Sequence, residues 1–318
     1  MRLFSVSKIR IFPVILLLGL ILPLAQSGCG KSTAEQPQAQ QITASTIAAM
    51  DSVKSYDLNT FMTENYIVIG AGPSPTADLW QWESHRQVDI SKQEMYLAMD
   101  SREAAGTIAT PYTFERYLKD GWVYYAQSLP YTYGMTNPWT KNKQDVTDNT
   151  LWSSQAKLSP QIELLKSSDT VILAGTEKVN GNDCYIIDFV PSAEAAADWV
   201  LSQEQNSGSS MGWFRAPPER SKEIYIKAFQ NGSVRLWIEK DNNLILKVNI
   251  TLLFDGMPGN IVLSDTPLLG MEGQENSTGV GFDHIIRDFN GQWEFSNYNT
   301  SMHIQVPQEA LNATESGN

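Results

Sequence analysis

The sequence predicts an α+β fold built on one large, curved antiparallel sheet of about eleven strands, with helices packed in its concave face. Three observations carry this prediction. From Tyr56 onward, apolar residues recur mostly with a two-residue period, the signature of half-buried strands. The separators between these segments are short and rich in Asn, Asp and Gly, so neighbouring strands pair as hairpins. No βαβ alternation and no repeat period runs through the chain.

The elements follow in order. Ile42, Thr46, Ala49 and Val53 stand at helical spacing and predict a first short helix. DLNTFMTENYIVIG, QWESHRQVDI, EMYLAMD, YTFERYL and WVYYAQSL read as strands, with SKQ and KDG as hairpin turns. The proline-containing YTYGMTNPWT breaks the pattern. LSPQIELLKSS opens at Ser159-Pro160 and predicts a second helix. TVILAGTEKV and CYIIDFV flank NGND, a strong hairpin signal. In SAEAAADWVLSQEQ, Ser192 is placed to cap a third helix, with Glu194 and Asp198 toward its start.

EIYIKAF, VRLWIEK and LILKVNITLLF then predict three strands joined through QNGS and DNN. Ile224, Ile226, Leu236, Ile238, Leu246, Val248, Ile250 and Leu252 fall on one face of these strands, together with Val234 and Leu244. Lys227, Arg235, Glu239 and Lys247 fall on the other. Residues 256–281, with several Gly and Pro, read as a long loop, and FDHIIRDF, WEFSNY and SMHIQV close the sheet. A one-sided apolar sheet of this size exceeds what three short helices cover, which leaves a cavity or an interface.

The N-terminus carries its own signal. Arg2, Lys8 and Arg10 precede the uncharged run Ile11–Leu24, which suits a signal-peptide core and is shorter than the roughly 20 residues of a membrane-spanning helix. AQSGCGKST also satisfies a relaxed phosphate-loop pattern, but no strand leads in, and the following KSTAEQPQAQQ has no apolar stripe. Ser27-Gly28 before Cys29 resemble a bacterial lipobox, in which cleavage leaves the cysteine as a lipidated first residue; Gln26 stands where that pattern usually has Leu. The expected division is therefore a signal peptide over 1–28, lipid-bearing Cys29 with a flexible tether over 29–41, and a single domain over 42–318. Such a protein is held at the cell envelope, outside the cytoplasm, on the outer face of the cytoplasmic membrane or on the periplasmic side.

Charge narrows the partners. The leader holds three of the 23 Lys and Arg and none of the 35 Asp and Glu, so its removal leaves 20 basic against 35 acidic residues, a net charge of −15. That surface repels phosphate backbones and anionic bilayers alike, which argues against nucleic acid and makes the anchor the route to the membrane. With Cys29 lipidated, Cys184 has no disulfide partner, and its strand-like setting fits a small buried apolar group.

Motifs for covalent chemistry lack their context. In IVIGAGPSP, Pro75 replaces the third glycine of a dinucleotide fingerprint and a strand follows where a helix is needed. GSSMG, with Ser210 at its centre, fits a serine-hydrolase elbow in letters, but it trails a helix and enters loop composition. His85, His284 and His303 are isolated, so neither a metal nor another cofactor is expected.

Three segments carry a family resemblance: GTEKVNGNDCYIIDFVPS, LWIEKDNNLILKVNI and EFSNYNTSMHIQVP, the last followed by Gln308-Glu309-Ala310. Together, over most of residues 42–312, they resemble the LolA/LolB and LppX/LprG lipoprotein superfamily. The resemblance implies a half-barrel sheet closed by helices around an apolar cavity that accepts acyl chains, with no covalent catalysis. The chain departs from the group in added length around 199–222 and 256–281. Burying a CH₂ group contributes about 0.8 kcal/mol, so a palmitate-sized chain would gain about 10 kcal/mol before ordering costs. The eight aliphatic residues from Ile224 to Leu252 named above are the candidates for the cavity wall. A filled interior would instead make the domain an envelope sensor or scaffold that docks a protein partner.

Overall fold

The computed structural model describes residues 35–69, 76–103, 112–128, 139–143, 159–168, 170–206, 218–257 and 284–315, all within one compact unit, Thr33–Asn318. Cys29, the glycines of IVIGAGPSP, Ser210 and the 258–283 segment lie outside the described residues. So do the leader and most of YTYGMTNPWT.

Helix α1 (Glu35–Asp51) leads into β1 (Ser55–Ile69), β2 (Thr76–Asp89), β3 (Glu94–Glu103), β4 (Tyr112–Lys119), β5 (Trp122–Ser128) and β6 (Trp139–Lys143). After α2 (Ser159–Lys166) come β7 (Val171–Val179), β8 (Asn182–Phe189), α3 (Ala193–Asn206) and α4 (Pro218–Ala228). The chain ends through β9 (Phe229–Glu239), β10 (Ile245–Met257), β11 (His284–Ser296), the single turn α5 (Gln308–Leu311) and the two-residue β12 (Thr314–Glu315). The strands form one open, curved sheet in the order β12-β6-β5-β4-β3-β2-β1-β11-β10-β9-β8-β7, antiparallel except where β12 joins β6. The predicted architecture holds, with twelve strands in place of about eleven.

Local chemistry explains the connections. Asp120-Gly121 and Asn180-Gly181 adopt positive φ at both central positions of the β4–β5 and β7–β8 hairpins, as the turn that matches strand twist requires. Ser192 Oγ accepts a hydrogen bond from the Ala195 N–H and caps α3.

Four differences from the sequence expectations have identifiable causes. First, α1 begins at Glu35 inside the expected tether, and Ala39 is fully buried. Its Glu, Gln and Ala favour helix, and Pro37 is tolerated in the first turn. Second, EIYIKAF is mostly helix rather than strand: it forms the end of α4, which buries Tyr225 and Ala228 at i and i+3, with Ile224 and Ile226 half-buried at its margins. The I-Y-I alternation imitated a strand.

Third, HIIRDF and WEFS, expected in separate strands, belong to one continuous β11, unbroken by Asn290-Gly291. Fourth, SMHIQV forms no ladder. It is an extended strap whose Met302 and Ile304 pack with Tyr117 and Tyr124 on the outer face of β4 and β5. Lys92 and Lys119 donate to its Met302 and Ile304 carbonyls.

Candidate functional site

Strand register sorts side chains onto two faces. On β11, the alternating Phe295, Trp293, Gly291 and Phe289 lie opposite Leu58, Thr60, Met62 and Glu64 of β1, and Arg287 follows in the same phase. On the other side they lie opposite Val248, Ile250, Leu252 and Phe254 of β10. The set continues through Leu236 and Val234 of β9 to Ile187 and Phe189 of β8. This is the inner face. The helices close it: α1 packs against β7, α3 against β9, α2 and α4, and α4 against β10.

The predicted wall residues separate here. Leu236, Ile238, Val248, Ile250 and Leu252 sit on the inner face, each 1% exposed or less, and belong to the same buried cluster as Ala196, Trp199, Val200 and Tyr225 of the helices. Ile224 and Ile226 reach that cluster from α4, the opposite side of the interior. Leu246 is not on this face. A bulge between Ile245 and Lys247 shifts the strand by one residue, and Leu246 packs on the outside with Cys184 and Trp237. Cys184 is fully buried, and burial raises its thiol pKa.

The centre of the inner face is aromatic, which aliphatic counting missed. Trp199 of α3 meets Trp293 edge-on at 5.5 Å and Phe289 at 6.3 Å. Phe254 continues the chain of contacts to Phe289, Phe229 and Tyr225 at 5.2–6.0 Å. The signal was present in D-F-N-G-Q-W-E-F, whose aromatic positions share one phase once it is read as a single strand.

A buried polar group borders this cluster. Arg287 donates through Nε to Glu64 Oε1 and through Nη1 to the Tyr225 hydroxyl, and its guanidinium lies over the Phe289 and Tyr225 rings at 4.9 and 5.4 Å. All three polar residues are buried. A desolvated charge needs its counter-charge and hydrogen bonds in place, and here they join β1, β11 and α4.

Further along the sheet, half-buried Arg86 pairs with the buried Tyr56. Burial raises the Tyr56 hydroxyl to about 12 although the Arg86 charge and hydrogen bond oppose it, and burial lowers Arg86 in turn. Beyond it, Leu97, Met99 and Phe114 form a smaller buried apolar patch with Trp82 and Tyr125 at its edge, and Arg116 lies over Phe114 at 4.6 Å.

The outer face differs. A groove of about 620 Å³ across β11, β1, β2, β3 and β4 is lined by Glu83, Asp100, Glu115, Glu294 and His85. His303 is exposed on the strap. Among the described residues, no group of three or more His, Cys, Asp or Glu is placed to hold a metal ion, and no helix is long and apolar enough to cross a membrane.

No family model and no curated protein matches the sequence. Among solved structures, the chain is similar to the lipoprotein LppX of Mycobacterium tuberculosis, with 11% identity and a TM-score of 0.40 over 85% of this chain and 99% of that one. It is similar to LprF of Mycobacterium bovis at 10% identity and a TM-score of 0.41, over 86% and 98% of the two chains. A LolA superfamily protein of Nitrosomonas europaea is similar at 10% identity and a TM-score of 0.19, over 85% and 96%. LppX and the LolA superfamily are the group that the three sequence segments resemble.

Proposed function

We propose that this chain is an extracytoplasmic lipoprotein, anchored through lipidated Cys29, that binds or carries a lipid or other hydrophobic ligand without covalent catalysis. The observation that carries the reading is the helix-covered inner face, continuous in apolar and aromatic side chains from β8 to β1. Hydrocarbon placed there leaves water at about 25 cal/mol for each Å² buried. The charged leader, the uncharged run Ile11–Leu24 and the small residues before Cys29 support the anchor. In this reading acyl chains lodge between α3–α4 and the sheet, against Leu236, Ile238, Val248, Ile250 and Leu252, with Ile224 and Ile226 on the helix side. The protein's net negative charge disfavours nucleic acid as a partner.

The test is mass spectrometry of organic extracts from natively purified full-length chain. Stoichiometric co-purified lipid, and a shift of the protein from membrane to soluble fractions with Cys29→Ala, are the expected results. A lipid-free preparation that takes up no fluorescent fatty acid overturns cargo binding, and unchanged membrane association with Cys29→Ala overturns the anchor.

One observation favours a second reading. The five inner aliphatic residues are already covered by the protein's own helices, as in a filled-core sensor or scaffold that docks an envelope protein. That reading predicts a dry extract and recovery of one specific protein partner.

A further inference from the structure

The indole N–H of Trp199, at the aromatic centre of the inner face, is a buried donor that the interior does not satisfy. Trp199 is 2% exposed, and its Nε1 is buried without a hydrogen-bond partner. Buried indole N–H groups normally find an acceptor, because a donor taken out of water without one gives up its hydration for nothing in return. The ring is fixed between α3 and the sheet by edge contacts with Trp293 and Phe289. An N–H directed at a ring face recovers only a second-order interaction.

We propose that Trp199 Nε1 donates a hydrogen bond to a carbonyl oxygen of the bound ligand, which makes the cargo an acyl ester rather than a bare hydrocarbon. This rests on the lipid-binding reading and names the chemistry within it. The nearest charge along the aromatic chain is Arg287, which stacks on Phe289 and is already matched by Glu64. A carboxylate brought to this place would set two anions against one guanidinium in a desolvated site. A neutral ester supplies the acceptor without adding charge, and its chains extend along the apolar face on either side.

The experiment compares dioleoylglycerol with squalane, a hydrocarbon without acceptors, as ligands for the detergent-solubilised full-length chain and for Trp199→Phe. Competition is read by native mass spectrometry, and the ¹⁵N-labelled indole resonances by NMR. Trp199→Phe is expected to lower dioleoylglycerol affinity about fivefold, the size of one net hydrogen bond, and to leave squalane affinity unchanged. The wild-type Trp199 indole proton is expected to move downfield on adding dioleoylglycerol and not on adding squalane. The ligand-free variant is expected to unfold at the wild-type temperature or above, because it loses an unmatched donor.

Equal loss of affinity for both ligands, or an indole resonance unmoved by the ester, overturns the proposal while lipid binding stands. Failure of the wild-type chain to bind either ligand overturns both.

Discussion

The indole of Trp293 lies across Gly291, two residues earlier on β11: a Cβ built at Gly291 would fall 2.2 Å from the nearest ring carbon of Trp293. The glycine is needed for space, so that the large ring can lie against its own strand while its edge meets Trp199. Gly291→Ala is expected to force the ring from its place and cost about 1–3 kcal/mol, as overpacked cores do. Urea unfolding measures it. Combining Gly291→Ala with Trp293→Leu should give less than the sum of the two single losses, because the clash exists only when both large groups are present.

Glu64 and Arg287 make a second prediction. Glu64→Gln leaves a buried guanidinium without its counter-charge, and breaking such a pair costs about 3–5 kcal/mol. Replacing both, with Glu64→Leu and Arg287→Met, should recover most of that loss, because the apolar pair carries no desolvation penalty. A double replacement that loses as much as Glu64→Leu and Arg287→Met summed would mean that the residues act independently.

These two relationships also mark where the sequence was legible. Strand positions could be read because each strand buries one face, which imprints a period of two on Leu58, Val88, Met95, Leu236 and Val248 alike. The hairpins could be read from Asp120-Gly121 and Asn180-Gly181, whose chemistry suits positive φ. Three kinds of information were hidden. Alternation in Ile224-Tyr225-Ile226 and in Met302–Ile304 imitated strands, although one segment is helical and the other is held largely by lysine side chains. The bulge that turns Leu246 outward leaves no mark in a run of aliphatic residues. Glu64, Arg86 and Arg287 read as surface charges, because burial of a charge depends on partners distant in sequence.

The strap gives the next prediction. Lys119 Nζ donates to the Ile304 carbonyl at 2.7 Å, and Ile304 is buried with Tyr117 and Tyr124. Lys119→Met is expected to lower hydrogen-exchange protection over residues 301–306 about fivefold, the effect of one net hydrogen bond, with protection in β9 and β10 unchanged. Uniform loss across the sheet would instead mean that the strap and the core open as one unit.

Alkaline pH tests the Tyr56–Arg86 pair. Burial holds the Tyr56 hydroxyl at about 12, above its ordinary value of 10.0. A tyrosine with a raised folded-state pKa favours the protonated form, so its contribution to stability is complete below pH 10 and disappears as pH rises through about 12. At pH 8, Tyr56→Phe should cost roughly 1.5–3 kcal/mol, the range for a hydrogen bond with a charged partner. Between pH 10 and pH 12 the wild-type chain then loses stability that the variant does not have to lose, and the gap between them should narrow. Denaturant midpoints measured across that interval decide it, since a constant gap would place Tyr56 outside the titration.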